Sequence, residues 1–239
     1  MRIAAHLLNE APPETEAERR ARYGLLLVAI LVAFAFQGIA NPGRWEQIVI
    51  TALLGITLVL AFWAAYARPV VMRVTIVVAV IVVAFSAVEA VNGHVADAGT
   101  RIANALLVLL APPAVLIGVV RTLRARKRVT LEAVFGVLCI YILIGMFFAF
   151  TYGTIDRVGP AFFTQNVQAT VANCLYFSFT TLTTVGYGDL TAATNLGHTL
   201  SVSEALIGQI YLVTIVSVIV ANLGRTRARA GSAGDRGAT

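Results

Sequence analysis

Six apolar stretches, residues 23–40, 45–67, 70–91, 102–120, 131–152 and 199–223, constrain this chain more than any other feature. A helix rises about 1.5 Å per residue, so each can cross a hydrocarbon core of about 30 Å, some with little to spare. The composition agrees: 59% of residues are hydrophobic and 13% charged, with a mean hydropathy of +0.84. Soluble domains carry about 25% charged residues. Turn signals separate the stretches: Asn41-Pro42-Gly43, Arg68-Pro69 and Asn92-Gly93. Tyr23 and Trp45 stand where interfacial aromatics are expected. The first 22 residues are polar and read as an N-terminal tail, either disordered or a short helix at the membrane surface.

Between the fifth and sixth stretches lies Thr183-Thr184-Val185-Gly186-Tyr187-Gly188-Asp189. Glycine takes left-handed backbone angles that cost other residues about 1–2 kcal/mol. Alternating it with ordinary residues lets successive carbonyls turn to one side, as a rail of oxygens that the Thr184 hydroxyl can extend. An apolar, partly aromatic helix is expected ahead of the run, over residues 171–182, after a loop over residues 153–166.

This run resembles the signature of the prokaryotic potassium channel family. Leu175-Tyr176-Phe177-Ser178-Phe179-Thr180-Thr181-Leu182 is similar to that family's pore helix, and Glu204-Ala205-Leu206-Ile207-Gly208-Gln209 to its inner helix. The resemblance covers about residues 130–224. It implies that Thr184, Val185, Gly186 and Tyr187 offer carbonyls to potassium, with Gly188 completing the outer mouth. The Val185 and Tyr187 side chains would point away from the ion and pack as springs. Thr183, Leu212 and Val216 would line the cavity below. The carboxyl end of the pore helix would favour a cation there.

Where many relatives have Trp, this chain has Tyr176. A phenol can donate the same bond to Asp189, or can simply pack. Thr180 stands where some relatives carry Glu, which argues against their form of filter inactivation. Gly208 matches the family's hinge glycine, although close packing against the pore helix would equally require glycine. Glu204 either bonds the back of the pore helix or sits near the outer water layer. Glu89 and His198 read as interfacial.

Four spans ahead of a pore suggest voltage gating, yet the fourth has no charge between Arg101 and Arg121. Pro112-Pro113 is expected to interrupt it. Arg121, Arg124 and Lys127 read instead as an inner anchor that can touch anionic lipid. With the N-terminus inside, fifteen of the 18 basic residues fall on inner segments and Arg44, Arg101 and Arg157 on outer ones. That asymmetry sets both termini in the cytoplasm and the filter run outside.

The expected fold is therefore an all-α integral membrane protein with six transmembrane helices. A re-entrant pore helix and filter loop lie between helices five and six. Its parts are a cytoplasmic tail (1–22), four helices of unknown role (23–121) and a basic linker (122–129). The pore module (130–224) and a short basic tail (225–239) complete it. The resemblance implies a homotetrameric potassium channel of the plasma membrane, a bacterial inner membrane, needing no cofactor beyond the permeant ion. The alternatives are a non-conducting regulatory subunit and a potassium transporter subunit. The net charge of +6 comes with no base-reading motif, so no nucleic-acid partner is expected. No nucleophile motif suggests an enzyme. Cys139 and Cys174 fall in apolar segments and read as packing residues.

Overall fold

A computed structural model describes residues 16–39, 43–65, 67–92, 98–126 and 131–235. The side chains of residues 16, 19, 44, 98, 121–126, 131–132, 216 and 218–235 lie outside the described residues. The described residues form seven helices: α1 (Glu16–Ile39), α2 (Arg44–Ala64), α3 (Pro69–Val91), α4 (Ala98–Arg126), α5 (Leu131–Val158), α6 (Val171–Leu182) and α7 (Asn195–Asp235). Among them, α1 to α5 each contain a segment long and apolar enough to span a membrane.

Local chemistry starts these helices where they start. Glu46 reaches back to accept the Gly43 amide at 2.9 Å, the half of a capping box that a glycine N-cap allows on α2. Pro69 occupies the first turn of α3, where its missing N–H costs nothing. The α6 cap is Thr170, whose hydroxyl accepts the Asn173 amide at 3.1 Å.

The core runs through α1, α2, α4, α5 and α6. The α4 and α1 helices both pack on α5, which fastens the first four helices to the pore module of the same chain. In addition, α1 reaches the pore helix itself, with the Phe34 ring edge-on to Phe179 at 4.7 Å. The α3 helix buries only small residues, Thr75, Ala79, Ser86 and Ala90, in a seam against α2. The Thr51 hydroxyl donates to Ser86 across that seam at 3.3 Å. The exposed remainder of α3 is mostly Val and Ile, as a lipid-facing helix requires.

Several expectations from sequence need correction. Pro112 and Pro113 do not interrupt the fourth helix, because α4 continues through both. They remove two backbone bonds, but Leu107, Val108, Ala111, Ala114 and Val115 are buried around them and packing holds the axis. The 122–129 linker is helical to Arg126, and residues 127–130 lie outside the described residues. The final tail is likewise helical to Asp235. Residues 1–15 and 236–239 lie outside the described residues, and residues 16–22 form the first turns of α1.

The expected loop at residues 153–166 is helical as far as Val158. Thr151 and Thr154 turn their hydroxyls back to the Phe147 and Phe150 carbonyls, so polar residues continue the helix without strain. Gly153 marks a close approach of Arg101 rather than a break. Tyr23 is not interfacial either: it is 1% exposed, packed beside Gly136 and Gly118. Arg22 instead lies over the Trp63 ring at 4.4 Å. Trp45 is 80% exposed.

Candidate filter loop

The loop after α6 is set between two fixed ends. Before it, Asp156 accepts the Phe162 amide at 2.9 Å, and Phe162 and Phe163 pack on Tyr152 and Phe177. After it, the chain pairs with this segment through Thr164 N to Thr191 O (3.0 Å) and Ala193 N to Phe162 O (2.8 Å). The His198 ring adds a 2.7 Å bond to the Ala192 carbonyl.

The run itself leaves the helix through three backbone bonds. Thr183 N donates to Phe179 O, Thr184 N to Thr181 O and Gly186 N to Thr180 O, at 2.9–3.1 Å. From there the backbone alternates in hand. Thr184, Gly186 and Gly188 have φ of +58°, +53° and +80°, while Val185 and Tyr187 stay on the ordinary side. Alternating hands cancel the coiling that a single hand would produce, so the chain runs on and successive carbonyls can project to one side.

Thr184 is the position that glycine spacing does not reveal, since a threonine with positive φ is strained by about 1–2 kcal/mol. Gln209 on α7 compensates by donating to the Thr184 hydroxyl at 3.1 Å. Gln209 thereby joins the site. Its signal in the sequence was an amide inside an apolar span.

Behind the loop, Tyr176 donates to Asp189 at 2.8 Å, and its ring stacks on Tyr187 with centroids 6.2 Å apart. The Thr180 hydroxyl turns to the Phe177 carbonyl at 3.0 Å, and its own carbonyl holds Gly186. Tyr141 reaches the Leu182 carbonyl at 3.3 Å, at the end of the pore helix. The Thr183 hydroxyl bonds back to the Phe179 carbonyl at 2.6 Å.

Glu204 is 0% exposed and bonds the back of the pore helix. Its carboxylate accepts the Tyr152 phenol at 2.5 Å and lies 2.5 Å from the Ser178 hydroxyl. Ser178 also sits 2.7 Å from the Gly145 carbonyl. Tyr152 and Ser178 were not singled out from sequence for this role. Glu89 accepts a bond from Thr100 and so ties α3 to α4.

At Gly208 the α7 helix is unbroken. A Cβ there would sit 2.5 Å from the Leu182 carbonyl, so close packing already requires glycine. Leu212 is 38% exposed, and the Val216 side chain lies outside the described residues. The Val185, Tyr187, Leu206, Ile210 and Val213 side chains are all more than half exposed on the single chain. Cys139 and Cys174 are buried and unpaired with each other.

Residues 136–225 match an ion-channel family. The match begins within α5, ends within α7 and encloses the whole loop, so this region is an ion-channel pore domain. The matched family is one of ion channels, not of enzymes. The first four helices lie outside the match. No curated protein and no solved structure matches the chain.

Proposed function

We propose that four copies of this chain assemble into a potassium-selective channel that conducts passively. The observation that carries the reading is the alternating hand of the backbone from Thr184 to Gly188. It suits a rail of carbonyls from Thr184, Val185, Gly186 and Tyr187, with the Thr184 hydroxyl at the inner end, replacing the water around a dehydrated potassium ion. One chain supplies one such rail, and a closed ring needs several.

The exposed apolar residues support a homotetramer. Val185 is 52% and Tyr187 71% exposed, and Leu206, Ile210 and Val213 on one α7 face are each more than half exposed among the described residues. Neighbouring copies would bury both. Thr183, Leu212 and Val216 would then line a cavity under the ring. Tyr176, Thr180 and Asp189 would brace the rail from behind.

The distribution of basic residues favours cytoplasmic termini and an outward-facing filter in a plasma membrane, bacterial in type. Basic residues near 121–128 would meet anionic lipid at the inner face.

Reconstitution in liposomes tests the reading. Potassium and rubidium flux is expected with sodium excluded, and Gly186→Ala should abolish it by forcing a side chain onto a φ of +53°. Equal sodium and potassium flux from the wild type would overturn potassium selectivity, and no flux at all would favour a regulatory subunit.

A further inference from the structure

A cavity lies where the ends of α2, α4 and α5 meet the segment leading into α6. It has a volume of about 300 Å³ and is walled by both signs of charge: Glu46 and Asp156 against Arg101 and Arg157. Asn104 is among the lining residues and is 4% exposed, and its Oδ1 has no hydrogen-bond donor among the described residues. A buried acceptor without a donor is costly and calls for a partner bearing N–H or O–H groups.

The four charges balance, so a ligand with net charge would leave one sign unpaired. A molecule carrying both signs can pair with each. The cavity also includes Val171, the first residue of α6, where helix-end N–H groups favour a carboxylate. We propose that this cavity binds a small zwitterion of the amino-acid type, its ammonium group donating to Asn104. Arg101 connects the cavity to the pore, because its Nη1 donates to the Ala169 carbonyl at 2.9 Å, immediately before the Thr170 cap. Occupancy therefore bears on the seating of the pore helix. None of this depends on which ion the loop passes.

Calorimetric titration of the purified full chain in nanodiscs tests it, using glycine, alanine, proline and glutamine. Ethylamine, propionate, glycine betaine and inositol serve as controls. At least one amino acid should bind saturably, with ethylamine and propionate about tenfold weaker or worse. Betaine, which has no N–H, should bind more weakly than that amino acid. Asn104→Leu should weaken binding by about tenfold. Arg157 is exposed, so Arg157→Gln leaves the fold intact while weakening the amino acid and sparing ethylamine. The proposal is overturned by no saturable binding of any amino acid, which would leave a water-filled cavity. Binding of inositol or single-charge ions alone, or unchanged affinity in both variants, would overturn it too. Failure of conduction in the flux assay would leave this titration readable, since it measures binding directly.

Discussion

Tyr152 on α5 donates its phenolic proton to Glu204 on α7 at 2.5 Å, in a position closed to solvent. With Ser178 on α6 at 2.5 Å from the other oxygen, one carboxylate holds three helices of the pore domain together.

Removing that carboxylate should be expensive. Glu204→Leu leaves the Tyr152 hydroxyl without its partner and Ser178 with only the Gly145 carbonyl, an expected loss of about 1–3 kcal/mol. Glu204→Gln keeps an acceptor for Tyr152 and a group for Ser178 to bond, so it should cost far less. Thermal unfolding in detergent separates the two, and equal melting of both variants would show that the knot contributes nothing.

Tyr176→Phe removes one bond to a carboxylate, worth about 1.5–3 kcal/mol. Tyr176 is 40% exposed on the single chain, which puts the expectation at the low end. Single-channel records should show briefer openings, and adding Asp189→Asn should change little further. Additive effects of the two substitutions would mean that the residues act separately.

The Gly208 alternatives predict different observables. Under close packing, Gly208→Ala pushes a methyl against the Leu182 carbonyl and should lower stability by about 1–3 kcal/mol. Under a hinge alone, stability would hold or rise slightly while opening slowed. The 2.5 Å approach favours the first outcome, read by denaturation of the purified variant.

Opening should depend only weakly on voltage. Each charge crossing the field contributes about 2.3 kcal/mol per 100 mV, and α4 carries none between Arg101 and Arg121. Arg101 itself is bonded to the Ala169 carbonyl. A steep open-probability curve in planar bilayers would show a gating charge elsewhere.

External tetraethylammonium should block poorly, since Thr191 offers no aromatic face. Thr191 also lies 2.6 Å from the Thr164 hydroxyl and accepts Gln165 Nε2 at 2.9 Å, which ties its side chain to its own chain's loop. Thr191→Tyr is therefore expected to leave block little changed. A large gain in sensitivity on the outer side would place position 191 at the mouth.

Much of this was legible because a bilayer allows few solutions. The apolar runs call for helices, and Gly186 and Gly188 stand where the chain does take positive φ. The Tyr176–Asp189 bond is implied by the family resemblance, with simple packing as the alternative, and the bond is present at 2.8 Å. The strain at Thr184 could not be read, because nothing in its chemistry announces a left-handed residue, and the amide that steadies it is 25 positions away. Pro112-Pro113 misled for a related reason: local propensity argues for a break, and burial of the neighbouring side chains outweighs it. Tyr23 looked like an interfacial ring until Gly118 and Gly136 on other helices made room for it.

The edge-on contact of Phe34 with Phe179 joins the first helix directly to the residue that anchors the loop. Along this side a helix of the bundle leans on the pore helix, and the Phe34 and Phe179 rings are part of that contact. The Phe179 carbonyl receives both the amide and the hydroxyl of Thr183, at the foot of the loop. The helix bundle and the foot of the loop thus meet in Phe179.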